Sequence, residues 1–191
     1  MKLILASGSP RRRDILSEQG LSFTVFTADF DEHSVSLANP GQGVQRLALG
    51  KAKAAMEKWR NEGHPLTEDT VFLGADTIVV LDGVPMGKPA DEADAFATLK
   101  RLSGKAHQVY TGVALCRPEQ TECFAVKTDV YFKPLSDETI QAYIATGEPM
   151  DKAGSYGIQG RGGGLVEKID GDYLNVVGLP AKEVLNRLQK L

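Results

Sequence analysis

The hydrophobic positions of the chain change period several times, and each period predicts an element. Residues 2–6, "KLILA", are apolar after Lys2 and predict a short buried strand, while residues 22–28, "SFTVFTA", alternate and predict a second one. Apolar residues recur at helical spacing across residues 44–60, which predicts an amphipathic helix. The strongly apolar run over residues 70–84 predicts a long strand that ends in the hairpin signal "DG".

Other elements are bounded by residues that commonly begin and end helices. A helix is predicted from Pro10 to Gly20, a second over residues 91–104, a third over residues 136–147 and a last one from Pro180. Two β-type runs, "HQVYTGVALCR" and "ECFAVKTDVYFK", predict an antiparallel pair. We therefore expect one α/β domain spanning residues 1–191, with a mixed, twisted sheet flanked by helices and elongated into two lobes around a cleft.

Composition narrows the classes of protein. The net charge of −3 argues against a general nucleic-acid binder. No apolar window approaches the roughly 20 residues that span a bilayer, so no membrane association and a cytoplasmic location are expected. Cys116 and Cys123 flank the turn "RPEQTE", where a bridge is geometrically allowed, but a cytosolic protein favours two reduced thiols.

The N-terminal stretch "ILASGSPRRRDIL" has the composition of an anion site. A strand, a Gly/Ser turn and a helix N-terminus together present backbone N–H groups and a positive dipole end. Ser7 and Ser9 add hydroxyl donors, and Arg11 and Arg12 add planar forks suited to phosphate oxygens. Because each cation at a helix N-terminus opposes the dipole by roughly 0.3–1 kcal/mol, a compensating anion is expected. The alternative is a solvated basic turn.

Asp76 lies inside an otherwise apolar strand, where an unpaired acid is costly to bury. It is expected to face a cation or a metal, and the alternative is an aspartate that caps a neighbouring loop. Asp31 and Glu32, in the polar loop 29–43, are candidates to meet it in space. Carboxylates of this kind hold Mg²⁺ bridged to substrate phosphates, and one of them can deprotonate a water.

Lys51 and Lys88 are candidate phosphate ligands. Lys51 and Lys53 are two apart on the predicted helix and cannot share its inner face, and Lys51 lies beside the apolar stripe. Lys88 follows the hairpin in "MGKPAD", in a loop that suits contact with a phosphate. For each lysine the alternative is a solvated surface residue.

The segment "EPMDKAGSYGIQG", residues 148–160, has no secondary-structure period and is read as a binding element. In this reading Gln159 contacts a base edge through its amide, and Tyr156 packs against a base or sugar. The following "GRGGG" lacks a strand before it and a helix after it, so it is read as a turn and strand entry.

Taken together, these motifs resemble the Maf family of nucleoside triphosphate pyrophosphatases. The resemblance rests on elements that occur in family order across nearly the whole chain: "ASGSPRR", the acidic pair ending at Glu32, "RLALGKA", "GADT", "GKP", "LSG", "YTG", "DKAGSYGIQG" and "VVGLP". It implies an α/β fold similar to that of the inosine triphosphate pyrophosphatases, with a deep nucleotide cleft between two lobes. It also implies a cytoplasmic homodimer and a divalent metal such as Mg²⁺ or Mn²⁺.

The resemblance implies a role for each matching residue. Asp76 corresponds to the catalytic base, and Glu32 is a carboxylate near the metal, which Asp76 also contacts. The residues expected to bind substrate phosphates are Ser7, Arg11, Arg12, Lys51 and Lys88.

Three positions separate the branches of this family. The branch acting on dTTP and UTP resembles this sequence, which has Arg11, Thr77 and Gln159, whereas the branch acting on 7-methyl-GTP has tryptophan, glutamine and glutamate there. Hydrolysis of dTTP and UTP to the monophosphate and pyrophosphate is therefore the preferred hypothesis, with removal of non-canonical or surplus nucleotides as its purpose. The alternatives are a 7-methyl-GTP-type pyrophosphatase and a nucleotide-binding regulator of cell division or septum formation. Arg13, where relatives often carry another polar residue, is read as a surface charge.

Overall fold

The computed structural model describes residues 1–191 and contains seven strands and six α-helices. The strands are Lys2–Leu5 (β1), Phe23–Val25 (β2), Thr70–Leu81 (β3), Val84–Met86 (β4), Ala106–Cys116 (β5), Thr121–Phe132 (β6) and Val166–Asp170 (β7). The helices are Pro10–Glu18 (α1), Pro40–Asn61 (α2), Glu92–Leu102 (α3), Asp137–Ile144 (α4), Tyr173–Val177 (α5) and Ala181–Leu188 (α6).

All seven strands belong to one mixed sheet. Its order is β2-β1-β3-β5-β6-β7, and β4 pairs with β3 outside this path. Strand β1 is parallel to β2 and to β3, whereas β4 is antiparallel to β3 and β7 is antiparallel to β6. A short turn closed by a hydrogen bond from the Arg117 amide to the Gln120 carbonyl joins β5 to β6, as in an antiparallel pair. The predicted mixed α/β architecture is confirmed.

The chain divides into two compact units. The first comprises Met1–Asp76, Thr111–Val126 and Gly178–Leu191, and the second comprises Thr77–Tyr110 and Lys127–Val177. We refer to them as the first unit and the second unit. The single domain with a nucleotide cleft, expected from the sequence, stays a prediction.

The core of the first unit forms where α2 packs on the sheet. A Cβ atom added to Gly74 on β3 would lie 2.1 Å from the carbonyl oxygen of Ala48, and one added to Gly112 on β5 would lie 2.2 Å from that of Val44. The helix backbone therefore rests directly on two strand glycines. This close approach explains why the buried face of α2 carries small residues.

Helix α2 begins earlier than its hydrophobic period predicts. The side chain of Asn39 accepts a hydrogen bond from the Gln42 amide, and Pro40 occupies the first turn. These local signals start the helix within the stretch that was read as a loop. The 3₁₀ turns and helix α5 were not predicted, because each is too short to show a hydrophobic period.

The core of the second unit encloses a histidine. His107 on β5 is fully buried, its Nε2 lies 2.7 Å from the hydroxyl oxygen of Tyr156, and its ring contacts that of Phe132 edge-on at a centroid distance of 5.0 Å. Burial lowers the pKa of His107 to about 4, so the imidazole is neutral at physiological pH.

Both cysteines are free thiols, in agreement with the reduced state that the sequence favoured. Burial raises the pKa of Cys116 to about 11, and it also raises that of Cys123. Among the helices, none combines the length and the apolar character that crossing a membrane requires.

Candidate active site

Two carboxylates of the first unit meet at one lysine. The Nζ atom of Lys51 lies 2.5 Å from Oδ1 of Asp76 and 3.0 Å from Oε1 of Glu32. The side chains of Lys51 and Asp76 are 19% and 13% exposed, whereas that of Glu32 is 55% exposed. The two carboxylates therefore lie no further apart than the sum of these two distances, and Asp76 is the more enclosed of the pair.

The position of Lys51 follows from the packing of α2 on β3. Gly74 and Asp76 are two apart on the strand and so project from the same face of the sheet. Lys51 lies three residues after Ala48 on the helix, on the same side, and Ala48 is the residue whose backbone rests on Gly74. The missing side chain at Gly74 thus brings Lys51 within reach of Asp76.

A second close contact positions Glu32. A Cβ atom added to Gly50 would lie 2.1 Å from Cζ of Phe30, so the phenyl ring packs directly against the α2 backbone next to Lys51. Glu32 begins a 3₁₀ turn two residues after Phe30, and the side chain of Asp31 caps that turn by accepting a hydrogen bond from the His33 amide. Of the two acids considered from the sequence, Glu32 joins the cluster and Asp31 has a local capping contact.

The basic turn divides into three different environments. Arg12 is buried, Arg11 is half-buried and Arg13 is exposed. The guanidinium of Arg12 donates from Nη1 to the Ser7 hydroxyl and from Nε to the carbonyl oxygen of Gly178, each at 2.9 Å. Arg12 is therefore bound to the Ser-Gly-Ser turn and to the "VVGLP" segment.

The buried guanidinium of Arg12 also lies in the field of the carboxylates. Burial lowers its pKa from the ordinary value, and the charges of Asp76 and Glu32 act in the opposite direction. Because an arginine remains protonated in proteins, Arg12 contributes a fixed positive charge to this part of the first unit.

The remaining predicted residues belong to the second unit. Thr77 follows Asp76 directly in β3 and is half-buried, while Lys88 and Gln159 are exposed. The loops that carry Lys88 and Gln159 are joined by a hydrogen bond from the Gly154 amide to the Gly87 carbonyl oxygen at 3.0 Å. Two separately predicted motifs, "GKP" and "DKAGSYGIQG", are therefore neighbours in the second unit.

The donors present fit a magnesium ion that is shared with a substrate. No group of three or more His, Cys, Asp or Glu side chains is arranged to hold a metal ion. Mg²⁺ commonly binds through one or two carboxylates together with substrate phosphates, and Glu32 and Asp76 supply two carboxylates that converge on one cation, the Lys51 ammonium. Two carboxylates, those of Glu32 and Asp76, are enough for an ion that is also coordinated by substrate phosphates, but they are too few for an ion coordinated by protein side chains alone.

Sequence reasoning missed the residues that position this site. Phe30 and Gly50 place Glu32, and a hydrogen-bonded pair, Tyr143 and Glu148, contacts the segment that carries Gln159. The sequence offered one signal for Glu148: it is an acidic residue at the start of a segment, residues 148–160, that shows no secondary-structure period. No pattern in the sequence pairs Phe30 with Gly50.

Comparison with known proteins agrees with these motifs. The model of the family described as Maf-like protein matches residues 2–191, and the chain belongs to this family. It is 50% identical over 187 residues to a protein of Symbiobacterium thermophilum named dTTP/UTP pyrophosphatase, covering 98% of this chain and 92% of that protein. It is also 50% identical over 192 residues to one of Geobacter metallireducens with the same name, covering 100% and 96%. The solved structure of the Staphylococcus aureus Ham1 protein matches with a TM-score of 0.47 and 14% identity, over 69% of this chain and 72% of that one.

Proposed function

We propose that this protein is a nucleoside triphosphate pyrophosphatase that hydrolyses dTTP and UTP, and modified pyrimidine nucleotides of the same kind, to the monophosphate and pyrophosphate. The observation that carries the proposal is the contact of Lys51 with Asp76 and Glu32. The names of the relatives at 50% identity support the choice of substrates.

Asp76 is the base in this proposal. Its carboxylate accepts a proton from a water whose oxygen bonds to the α-phosphorus, while the bond from that phosphorus to the bridging oxygen breaks and pyrophosphate leaves. Partial burial of Asp76 limits competing solvation of the carboxylate, and Lys51 fixes its orientation. Glu32 and Asp76, together with substrate phosphates, would hold a divalent ion such as Mg²⁺ or Mn²⁺, which would neutralise part of the triphosphate charge.

The N-terminal turn is assigned to the phosphates. Helix α1 starts at Pro10 with Ser9 at its N-cap position, and no acidic residue lies in its first turn. An anion is therefore favoured at this helix end by both the dipole and the arginines. Ser7, Arg11 and Arg12 are the proposed ligands there, and Lys51 and Lys88 complete the phosphate-binding set.

Base selection is assigned to Arg11, Thr77 and Gln159. An amide such as that of Gln159 offers one acceptor and two donors, which match the edge of a uracil or thymine. A site built to hydrogen-bond a substrate group discriminates strongly against analogues that lack it. Removal of non-canonical or surplus pyrimidine nucleotides, in the cytoplasm and by a homodimer, is the role we propose for the enzyme.

A panel of nucleotides tests the proposal. The purified protein is incubated with Mg²⁺ or Mn²⁺ and dTTP, UTP, dCTP, GTP or 7-methyl-GTP, and products are identified by phosphorus NMR. We expect dTMP or UMP and pyrophosphate in equal amounts, with dTTP and UTP as the best substrates. Release of inorganic phosphate and a diphosphate would contradict the reaction type.

Two other outcomes separate the alternatives. A preference for 7-methyl-GTP would overturn the assignment of Gln159 to a pyrimidine. Tight binding of dTTP without turnover, with either metal, would favour a nucleotide-binding regulator of cell division.

A further inference from the structure

The segment that carries Gln159 is held at both of its ends by one pair of side chains. Tyr143 lies on α4 and is 4% exposed, and Glu148 is half-buried in the 3₁₀ turn that follows this helix. The exposed Gln159 lies in the middle of the segment, residues 157–162. We call this segment the Gln159 loop.

Four hydrogen bonds connect the Tyr143–Glu148 pair to the two ends of the loop, and we call this set of hydrogen bonds the bracket. At one end of the loop the Gly157 amide donates to the Tyr143 hydroxyl oxygen at 3.1 Å, and this hydroxyl donates to Oε1 of Glu148 at 3.0 Å. At the other end the amides of Gly162 and Arg161 donate to Oε1 and Oε2 of Glu148 at 3.0 and 3.1 Å. Both ends of the loop are thereby connected through two side chains.

The glycines of the loop make this closure sterically feasible. A Cβ atom added to Gly162 would lie 2.1 Å from the Gly157 carbonyl oxygen and 2.6 Å from the Tyr143 hydroxyl oxygen. Gly160 has a φ of +69°, and its added Cβ would lie 3.0 Å from Oε2 of Glu148. Gly160 and Gly162, which belong to the run read from the sequence as a turn, are therefore required by the close packing around this pair.

The charge of Glu148 strengthens the bracket. Burial acts to raise the pKa of Glu148, but hydrogen bonds from the Gly162 amide, the Tyr143 hydroxyl and the Arg161 amide outweigh it, so the pKa lies below the ordinary value. Burial, together with the hydrogen bond to Glu148, raises the pKa of Tyr143, which keeps the phenol protonated and able to donate. Hydrogen bonds to a charged acceptor are roughly twice as strong as neutral ones.

We propose that Tyr143 and Glu148 are positioning residues for base selection: they hold the ends of the Gln159 loop so that the amide of Gln159 is presented in one orientation. Neither residue contacts the substrate in this proposal, which rests on the proposed role of Gln159. Their contribution is therefore to discrimination between bases and not to binding of the triphosphate.

The variant Tyr143→Phe tests the proposal because it keeps the ring and removes only the bridging hydroxyl. We expect the ratio of kcat/KM for dTTP to that for dCTP to fall at least about tenfold, mainly through KM for dTTP. Inhibition by inorganic tripolyphosphate should not change. Tyr173→Phe, at an exposed tyrosine of the same unit, is the matched control and should leave the ratio unaltered.

A double-mutant comparison separates positioning from a general structural role. In the Gln159→Ala background, Tyr143→Phe should cause no further loss of discrimination, because the oriented side chain is already absent. An equal loss in both backgrounds would overturn the proposal. Glu148→Gln, which removes the charge and the acceptor for one loop amide, should give the same pattern.

Hydrogen exchange distinguishes failure of this inference from failure of the proposed function. Amides of the Gln159 loop should exchange faster in Tyr143→Phe than in the unmodified protein, whatever substrate the enzyme prefers. Unchanged exchange would overturn the bracket itself. If exchange rises but Gln159→Ala leaves the base preference unaltered, the bracket stands, the assignment of Gln159 in the proposed function fails, and the role in base selection is overturned with it.

Discussion

The ammonium nitrogen of Lys51 lies 2.5 Å from a carboxylate oxygen of Asp76, and this contact depends on the absence of a side chain at Gly74. The helix that carries Lys51 rests on the glycine, and the strand that carries Asp76 contains it. A packing feature of the core therefore sets the distance between two groups of the candidate site.

Replacing Lys51 by methionine keeps the aliphatic stem and removes the charge. We expect kcat for dTTP to fall by about 10²–10³-fold, because Asp76 loses its partner and the phosphates lose a cation. Steady-state kinetics measure this loss. Lys53→Met, two residues further on the same helix and exposed, is the matched control and should retain activity. Equal effects of the two variants would contradict the role of Lys51.

Replacing Gly74 by alanine places a methyl group against the α2 backbone. The added carbon would lie 2.1 Å from the Ala48 carbonyl oxygen, so the helix has to shift. We expect the free energy of unfolding to fall by about 1–3 kcal/mol and the turnover of dTTP to fall as well. Urea titration and kinetics on the same preparation test both effects.

Gly164→Ala is the control for this prediction, since nothing lies within 4 Å of its added Cβ and its φ is not positive. Gly164→Ala should change neither the free energy of unfolding nor the turnover of dTTP. A stable and fully active Gly74→Ala protein would show that the close approach does not position Lys51.

The burial of His107 predicts that the free energy of unfolding depends on pH. Its pKa falls from 6.5 in the unfolded chain to about 4 in the folded protein because the imidazole is buried. The unfolded state therefore binds more protons between these values, and stability is lost as the pH falls from about 6.5 towards 4. We expect His107 to account for a loss of about 2 kcal/mol between pH 7 and pH 5.

The variant His107→Phe provides the comparison. It keeps an aromatic ring beside Phe132 and removes both the titration and the hydrogen bond to Tyr156. Urea unfolding should show lower stability than the unmodified protein at pH 7 and a shallower decline between pH 7 and pH 5. Parallel declines in the two proteins would contradict a buried neutral His107.

Much of the fold was predictable from the sequence because strong signals coincide. The long strand over residues 70–81 is apolar at most of its positions, and α3 has acids first, bases last and a glycine after its end. That Glu32 and Asp76 lie close together was only a hypothesis, because the spacing of two residues that are far apart in the sequence does not predict whether they meet in the fold. The contact of Phe30 with Gly50, which places Glu32, depends on tertiary packing.

The basic turn shows what the sequence could not resolve. Three adjacent arginines were expected to need an anionic partner, and the exposed Arg13 fits the reading as a surface charge. Arg12 is hydrogen-bonded to the carbonyl oxygen of Gly178, from the far end of the chain. Local pattern predicted the kind of chemistry at this turn, whereas the partner of Arg12 depends on the fold of the whole first unit.

The central claim is that Asp76 activates the water that attacks dTTP. The most direct measurement is kcat for release of pyrophosphate from dTTP by Asp76→Asn, which keeps the shape of the side chain and removes its basicity. Asp14→Asn, at an exposed aspartate on α1, is the control and should behave like the unmodified protein. We predict a fall of about 10²–10⁴-fold for Asp76→Asn, with a folded protein that still binds dTTP. Undiminished turnover by this variant would contradict the account.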